Sequence, residues 1–119
     1  MSLFNIGKFK LHSGSDSNFK IDCDYLSDSD IEALASLIAD TIGFGKVIGV
    51  PRGGIRLAKA LEKYCSNNDT TLIVDDVLTT GNSMEEAKSK LNGEKVIGVV
   101  IFARGRCPSW VISLFNVRI

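Results

Sequence analysis

The chain has 119 residues, room for one domain near the small end for an α/β fold, and its 45% apolar and 24% charged residues suit a globular core under a polar surface. Fourteen Lys and Arg balance fourteen Asp and Glu, so no broad field draws the chain to nucleic acid or membrane, and neither partner is expected. The three cysteines, Cys23, Cys65 and Cys107, are odd in number and lack a C-x-x-C, which argues for reduced thiols in a cytosol. With His12 as the only histidine, a zinc site is not expected. Signal peptide, long apolar run, repeats and low-complexity tracts are all missing from the sequence, and a cytoplasmic location is the expectation.

Met1 to Leu11 is mixed, with Phe4, Ile6, Phe9 and Leu11 available to pack onto a sheet or helix face. His12-Ser-Gly-Ser-Asp-Ser-Asn18 is a turn cluster, and Phe19-Lys-Ile-Asp-Cys23 alternates as a short strand does. Ser29 and Glu32 have the spacing of a capping box, which predicts a helix carrying Ile31, Leu34, Ala35, Ile38 and Ile42 and ending at Gly43 and Gly45. Lys46 to Val50 reads as a buried strand; Pro51-Arg52-Gly53-Gly54 turns the chain into a helix from Ile55 to about Tyr64. Cys65-Ser-Asn-Asn-Asp-Thr70 is a short connection, and Thr71 to Val74 reads as a doubly buried strand. Met84 to Leu91 is a short helix with acids early and lysines late, in accord with its dipole. Lys95 to Ala103, the longest apolar run, is a central strand candidate that ends in Arg104-Gly-Arg106. Cys107-Pro108-Ser109-Trp110 turns the chain toward a last strand over Ser113 to Val117, and Trp110 suits a core or interface better than a stacking platform.

The chemistry concentrates in Leu72-Ile-Val-Asp-Asp-Val-Leu-Thr-Thr-Gly-Asn-Ser83. Two carboxylates close a strand, and a hydroxyl- and glycine-rich loop leads into a helix. In open α/β sheets ligands sit beyond the carboxyl ends of the strands, and helix N-termini hold phosphates. Thr79, Thr80, Asn82 and Ser83 supply donors, Gly81 lets the backbone approach a phosphate, and Asp75 and Asp76 suit sugar hydroxyls or a hydrated divalent cation. A loop that holds both a phosphate and a diol suggests a ribose 5-phosphate. The plainer reading is polar punctuation with Ser83 capping toward Glu86. Other phosphate motifs do not fit: Gly45-Lys46 leads into a strand rather than a helix, no G-x-G-x-x-G exists, and no Asp follows Asp76 as a receiver domain would require.

Thr71 to Ser83 resembles the phosphoribosyl pyrophosphate (PRPP) signature of type I phosphoribosyltransferases. The resemblance implies that Asp75 and Asp76 hold the ribose hydroxyls, that Thr79, Thr80, Gly81, Asn82 and Ser83 wrap the 5-phosphate, and that Pro51, Arg52, Gly53 and Gly54 form the pyrophosphate loop. Arg52, Asp75 and Asp76 are then the catalytic candidates. Leu11-His12-Ser13-Gly14, Ser17 and Phe19 to Asp22 resemble the entrance segment of orotate phosphoribosyltransferases, though that family usually has Lys where His12 stands and aromatic residues near Lys20 and Ile21. Thr79 is the residue of the orotate type, where purine-specific relatives carry Asp. Arg104 falls where the orotate type places an Arg against the carboxylate of the base, so the implied base site is Thr79, Arg104, Lys20 and His12.

The implied fold is a three-layer α/β/α domain over 1–119 with a mainly parallel sheet and a reduced hood. It lacks the further strand and the long basic loop that orotate-type relatives carry between Tyr64 and Thr71; that absence should cost rate unless a partner chain supplies the cover, and the sheet edge left exposed would favour association. The implied reaction displaces pyrophosphate from PRPP by a nitrogen of a base, favouring a pyrimidine, with Mg²⁺ brought by PRPP and held through water near Asp75 and Asp76. A homodimer is the expected assembly. The alternative is a non-catalytic module that binds PRPP or a nucleotide.

Overall fold

A computed structural model describes residues 2–10 and 16–117. Four strands form one wholly parallel sheet in the order β3 (Lys46–Gly49), β4 (Thr70–Leu78), β5 (Lys95–Ala103) and β6 (Val111–Asn116). Parallel neighbours need crossovers, and α2 (Ile55–Leu61) and α3 (Asn82–Ser89) supply two of them. Every loop that leaves a strand's carboxyl end therefore opens on one edge of the sheet. Leu72, Ile73, Val74, Val99, Val100 and Ile101 are all but inaccessible, as both faces are covered. One face packs against α1 (Asp28–Thr41) and α2 through Ile31, Ala35, Ile38, Leu57 and Leu61; the other packs against α3 through Met84. The result is the three-layer arrangement the sequence implies.

A separate antiparallel pair, β1 (Phe4–Lys10) with β2 (Asp16–Ile21), forms the hood. Phe4 sets its ring edge-on to Phe102 of β5, with centroids 5.6 Å apart. Ile6 is 78% exposed and does not pack, which corrects the expectation drawn from the apolar residues of this segment. Leu11 and His12 lie outside the described residues.

Several boundaries differ from the sequence reading, each for a local reason. The capping box of α1 is Ser27 with Asp30, not Ser29 with Glu32: the Ser27 hydroxyl accepts from the Asp30 amide, and the Asp30 carboxylate accepts from the Ser27 amide. Both pairs have the same spacing, and the earlier one closes first. β4 runs on through Asp75, Asp76, Val77 and Leu78, because β5 continues beside it with Asp75 opposite Val100 and Val77 opposite Phe102. Ladder pairing there outweighs the low strand preference of Asp.

The connection between α2 and β4 is closed tightly at the amino end of the sheet. The Ser66 amide donates to the Phe44 carbonyl and the Thr70 amide to the Asn68 side chain. A side chain at Gly45 would overlap the Asn68 backbone, so only glycine permits this short turn. Residues 65–69 sit at the end of the sheet opposite the loops that follow Gly49, Leu78 and Ala103.

Candidate active site

Three strand ends bring Pro51 to Gly54, Asp75 to Ser83 and Arg104 to one edge. Neighbours on a strand leave it on opposite faces, yet the Asp75 and Asp76 carboxyl groups come within reach of each other. Asp75 is 9% exposed and lines the cavity of the β4–α3 loop, together with Val77, Leu78, Thr79, Thr80, Gly81, Asn82 and Ser83. Asp76 faces the β3–α2 loop so closely that a Cβ on Gly53 would overlap its carboxylate. The Asp75 carboxylate accepts from the Asp76 amide at 2.8 Å, and the Asp76 carboxylate from the Val77 amide at 2.7 Å. Burial, and then the negative charge of Asp76, push the Asp75 carboxyl up to about 8. A cation or a hydroxyl donor placed between them would relieve that repulsion.

In the β4–α3 loop, Gly81 stands at φ +88°, a left-handed conformation that side chains disfavour, and it is the N-cap of α3. The Asn82 amide reaches the Thr80 hydroxyl at 3.3 Å. No side chain caps α3, so the amides of Ser83 and Met84 are left for whatever enters the cavity. Pro108 packs on Gly81 from below, and the Trp110 indole donates to Glu85 in the first turn at 2.7 Å. Lys88 sits 4.9 Å above the Trp110 ring. Trp110 thus packs against the sheet and helix, as its composition context suggested, and the Cys107–Trp110 turn proves to be a buttress for the loop. Sequence reasoning missed that role, since nothing in the turn itself points to a helix more than twenty residues earlier.

The β3–α2 loop departs from the expectation of four equivalent backbone donors. Pro51 has no N–H, and the Gly54 amide donates to the Val50 carbonyl at 2.8 Å. The donors left for an anion are the Arg52 and Gly53 amides and the exposed Arg52 guanidinium. Gly54 is instead a packing residue: a side chain there would overlap the Val74 carbonyl.

On the far side of the β4 loop, the Arg104 amide donates to the Leu78 carbonyl at 2.9 Å, which sets Arg104 beside Thr79. Its guanidinium lies over the Phe19 ring at 3.7 Å, and burial lowers its pKa. Phe19 and Ile21 are buried on one face of the hood, while Lys20 between them is exposed on the other. Lys20 is therefore not brought to Thr79 and Arg104, because strand alternation turns it away. His12 lies outside the described residues. Cys23 is buried near the acidic pair, and burial and then the Asp76 charge push its thiol up to about 12, which leaves it a poor nucleophile.

Among the described residues no group of three or more His, Cys, Asp or Glu side chains is placed to hold a metal ion. The adjacent carboxylates of Asp75 and Asp76, one of them already short of countercharge, do suit a hydrated divalent cation that arrives with a diphosphate. No helix among the described residues is long and apolar enough to cross a membrane.

No protein-family profile matches the chain, and no curated protein sequence does. Solved structures do. The orotate phosphoribosyltransferase from Aeropyrum pernix superposes with a TM-score of 0.76 at 24% identity, over 96% of this chain and 88% of that one. The Mycobacterium tuberculosis orotate phosphoribosyltransferase in complex with inorganic phosphate gives 0.64 at 16% identity, over 94% and 87%. The Helicobacter pylori xanthine-guanine-hypoxanthine phosphoribosyltransferase gives 0.53 at 18%, over 72% and 85%. The chain has the type I phosphoribosyltransferase fold. Its form of that fold is similar to the one the orotate phosphoribosyltransferases take.

Proposed function

We propose that the chain is a phosphoribosyltransferase of the orotate type, which transfers ribose 5-phosphate from PRPP to a ring nitrogen of an anionic pyrimidine and releases pyrophosphate. The observation that carries this reading is the acidic pair set between two loops on one sheet edge. Asp75 lines the β4–α3 cavity and Asp76 lies against Gly53 of the β3–α2 loop. A ligand with a phosphate at one end, a diol in the middle and a diphosphate at the other matches that order.

In this reading the 5-phosphate sits at the amino end of α3, held by Thr79 to Ser83, and the ribose hydroxyls donate to Asp75 and Asp76. The Arg52 guanidinium and the Arg52 and Gly53 amides receive the pyrophosphate, where negative charge grows as the bond from ribose C1 to oxygen breaks. The new bond joins C1 to the base nitrogen, whose proton leaves to solvent. No covalent enzyme intermediate is needed, so catalysis rests on positioning and on charge stabilisation. Mg²⁺ would come with the diphosphate, bound through water near Asp75 and Asp76, and would neutralise part of the leaving group's charge. Thr79 and Arg104 flank the acceptor, with Arg104 paired to its anionic group.

The placement of residues 65–69 at the opposite end of the sheet favours a second reading, a module that binds PRPP or a nucleotide without turnover. A closed site excludes water from the reacting centre, and this connection is too far away to close it. Calorimetric titration with Mg-PRPP, followed by pyrophosphate release with a panel of bases, separates the two. Binding with release supports the transferase; binding without release supports the module.

A further inference from the structure

The hood carries an aromatic residue that is 7% exposed, with the Arg104 guanidinium over its ring, and it is not among the residues that line the β4–α3 cavity. Phe19 sits on β2, opposite Ile6 of β1, and belongs to the main core together with Ile21 and Phe102. Arg104 follows the last residue of β5, and its backbone is fixed by Leu78. The two side chains meet from elements that are distant in sequence, at 3.7 Å from guanidinium carbon to ring centroid. An arginine side chain has several rotatable bonds, and a flat partner at that distance fixes the plane of its fork. A bidentate pair with a carboxylate needs that plane defined in advance.

We propose that Phe19 is a positioning residue for acceptor recognition: it holds the Arg104 guanidinium so that Arg104 selects acceptors bearing a carboxylate. This deepens the proposed function and rests on its assignment of Arg104 to the acceptor. A consequence follows for the acceptor ring. With its face taken by Arg104 and the rest of its surface in the core, Phe19 offers no platform for stacking. Lys20, the next residue, faces away. Acceptor choice on this side of the site is thus made by charge through Arg104.

The test compares the wild type with Phe19→Leu, Phe19→Tyr and Arg104→Ala, using orotate as the carboxylate-bearing acceptor and uracil as its neutral counterpart, at saturating Mg-PRPP. Circular dichroism checks that each variant is folded, and Phe19→Tyr keeps the ring should Phe19→Leu fail to fold. In the free protein, the Arg104 Hε resonance is expected upfield through the ring current of Phe19, to return to the ordinary arginine range in Phe19→Leu and to stay shifted in Phe19→Tyr. Phe19→Leu should weaken orotate (KM, or Kd if there is no turnover) roughly tenfold, leave uracil and kcat nearly unchanged, and be rescued by Tyr. Equal losses for orotate and uracil, no loss for either, or an unshifted Hε in the wild type would overturn the role of Phe19 while leaving the proposed function standing. If Arg104→Ala leaves orotate unaffected, or if the wild type holds Mg-PRPP but neither acceptor, the acceptor side of the proposed function falls, and the proposal falls with it.

Discussion

The two loops that face each other across Asp75 and Asp76 are held in different ways. The β4–α3 loop is supported from beneath: Pro108 packs on Gly81, and Trp110 ties down the first turn of α3 through Glu85. The β3–α2 loop has no such support. Pro51, Arg52 and Gly53 are exposed, and the loop is anchored by the Gly54 amide on Val50 and by the close approach of Gly53 to Asp76. The 5-phosphate would therefore enter a built cradle. The pyrophosphate would meet an exposed loop fixed at Gly54 and packed against one carboxylate. Binding on one side and release on the other suit that asymmetry.

The comparison breaks most completely at the residues both loops share. Asp75→Asn with Asp76→Asn should weaken Mg-PRPP by about 10² to 10³-fold, as charge-assisted hydrogen bonds to the ribose are lost, measured by calorimetry. The same variant should be at least as stable as the wild type, because it removes a buried carboxyl held beside the negative charge of Asp76.

Gly53→Ala acts on the unsupported loop alone. Its Cβ cannot coexist with the Asp76 carboxylate, and the displacement should cost ~1–3 kcal/mol of Mg-PRPP binding while inorganic phosphate still binds the cradle. Gly81→Ala is the matching change in the supported loop. Its Cβ would stand 3.6 Å from Pro108, an ordinary contact, so the cost comes from the backbone at φ +88°. About 1–2 kcal/mol of stability should be lost, seen as a lower denaturation midpoint, with phosphate affinity falling alongside.

The acidic pair also sets a pH dependence. In the folded chain Asp75 holds its proton up to about 8, against 3.8 for the unperturbed group. Between those values the native state binds a proton that the unfolded state has released, so stability falls as pH rises from about 4 to 8 and levels off above. The slope from this group is at most ~1.4 kcal/mol per pH unit. Chemical denaturation across that range should show the decline, and Asp75→Asn should flatten it. Smaller still is Trp110→Phe, which removes the bond to Glu85. It should cost ~0.5–1.5 kcal/mol, and a phosphate titration should weaken by no more than a few-fold.

What could be read from the sequence follows the same division. The donor side is contiguous: Asp75, Asp76 and Thr79 to Ser83 carry strand, turn and helix start within one stretch, so pattern and chemistry agree. Lys95–Ala103 was legible as a strand because nothing in it competes with burial. The β1 strand was not, since its support is the hood pairing with β2 and the T-shaped contact of Phe4 with Phe102, both remote in sequence. The same holds for the Phe19–Arg104 stack and for the Pro108 and Trp110 buttress. Lys20 entered the implied base site by alignment, whereas its orientation is fixed by the alternation that buries Phe19 and Ile21.

The most direct test of the account is phosphorus NMR of the protein with Mg-PRPP, alone and with orotate, uracil and purine bases added in turn. The account predicts PRPP lines that shift or broaden with protein alone, and pyrophosphate that grows in only with a carboxylate-bearing pyrimidine. PRPP lines identical to the protein-free control, with no pyrophosphate under any base, would contradict it.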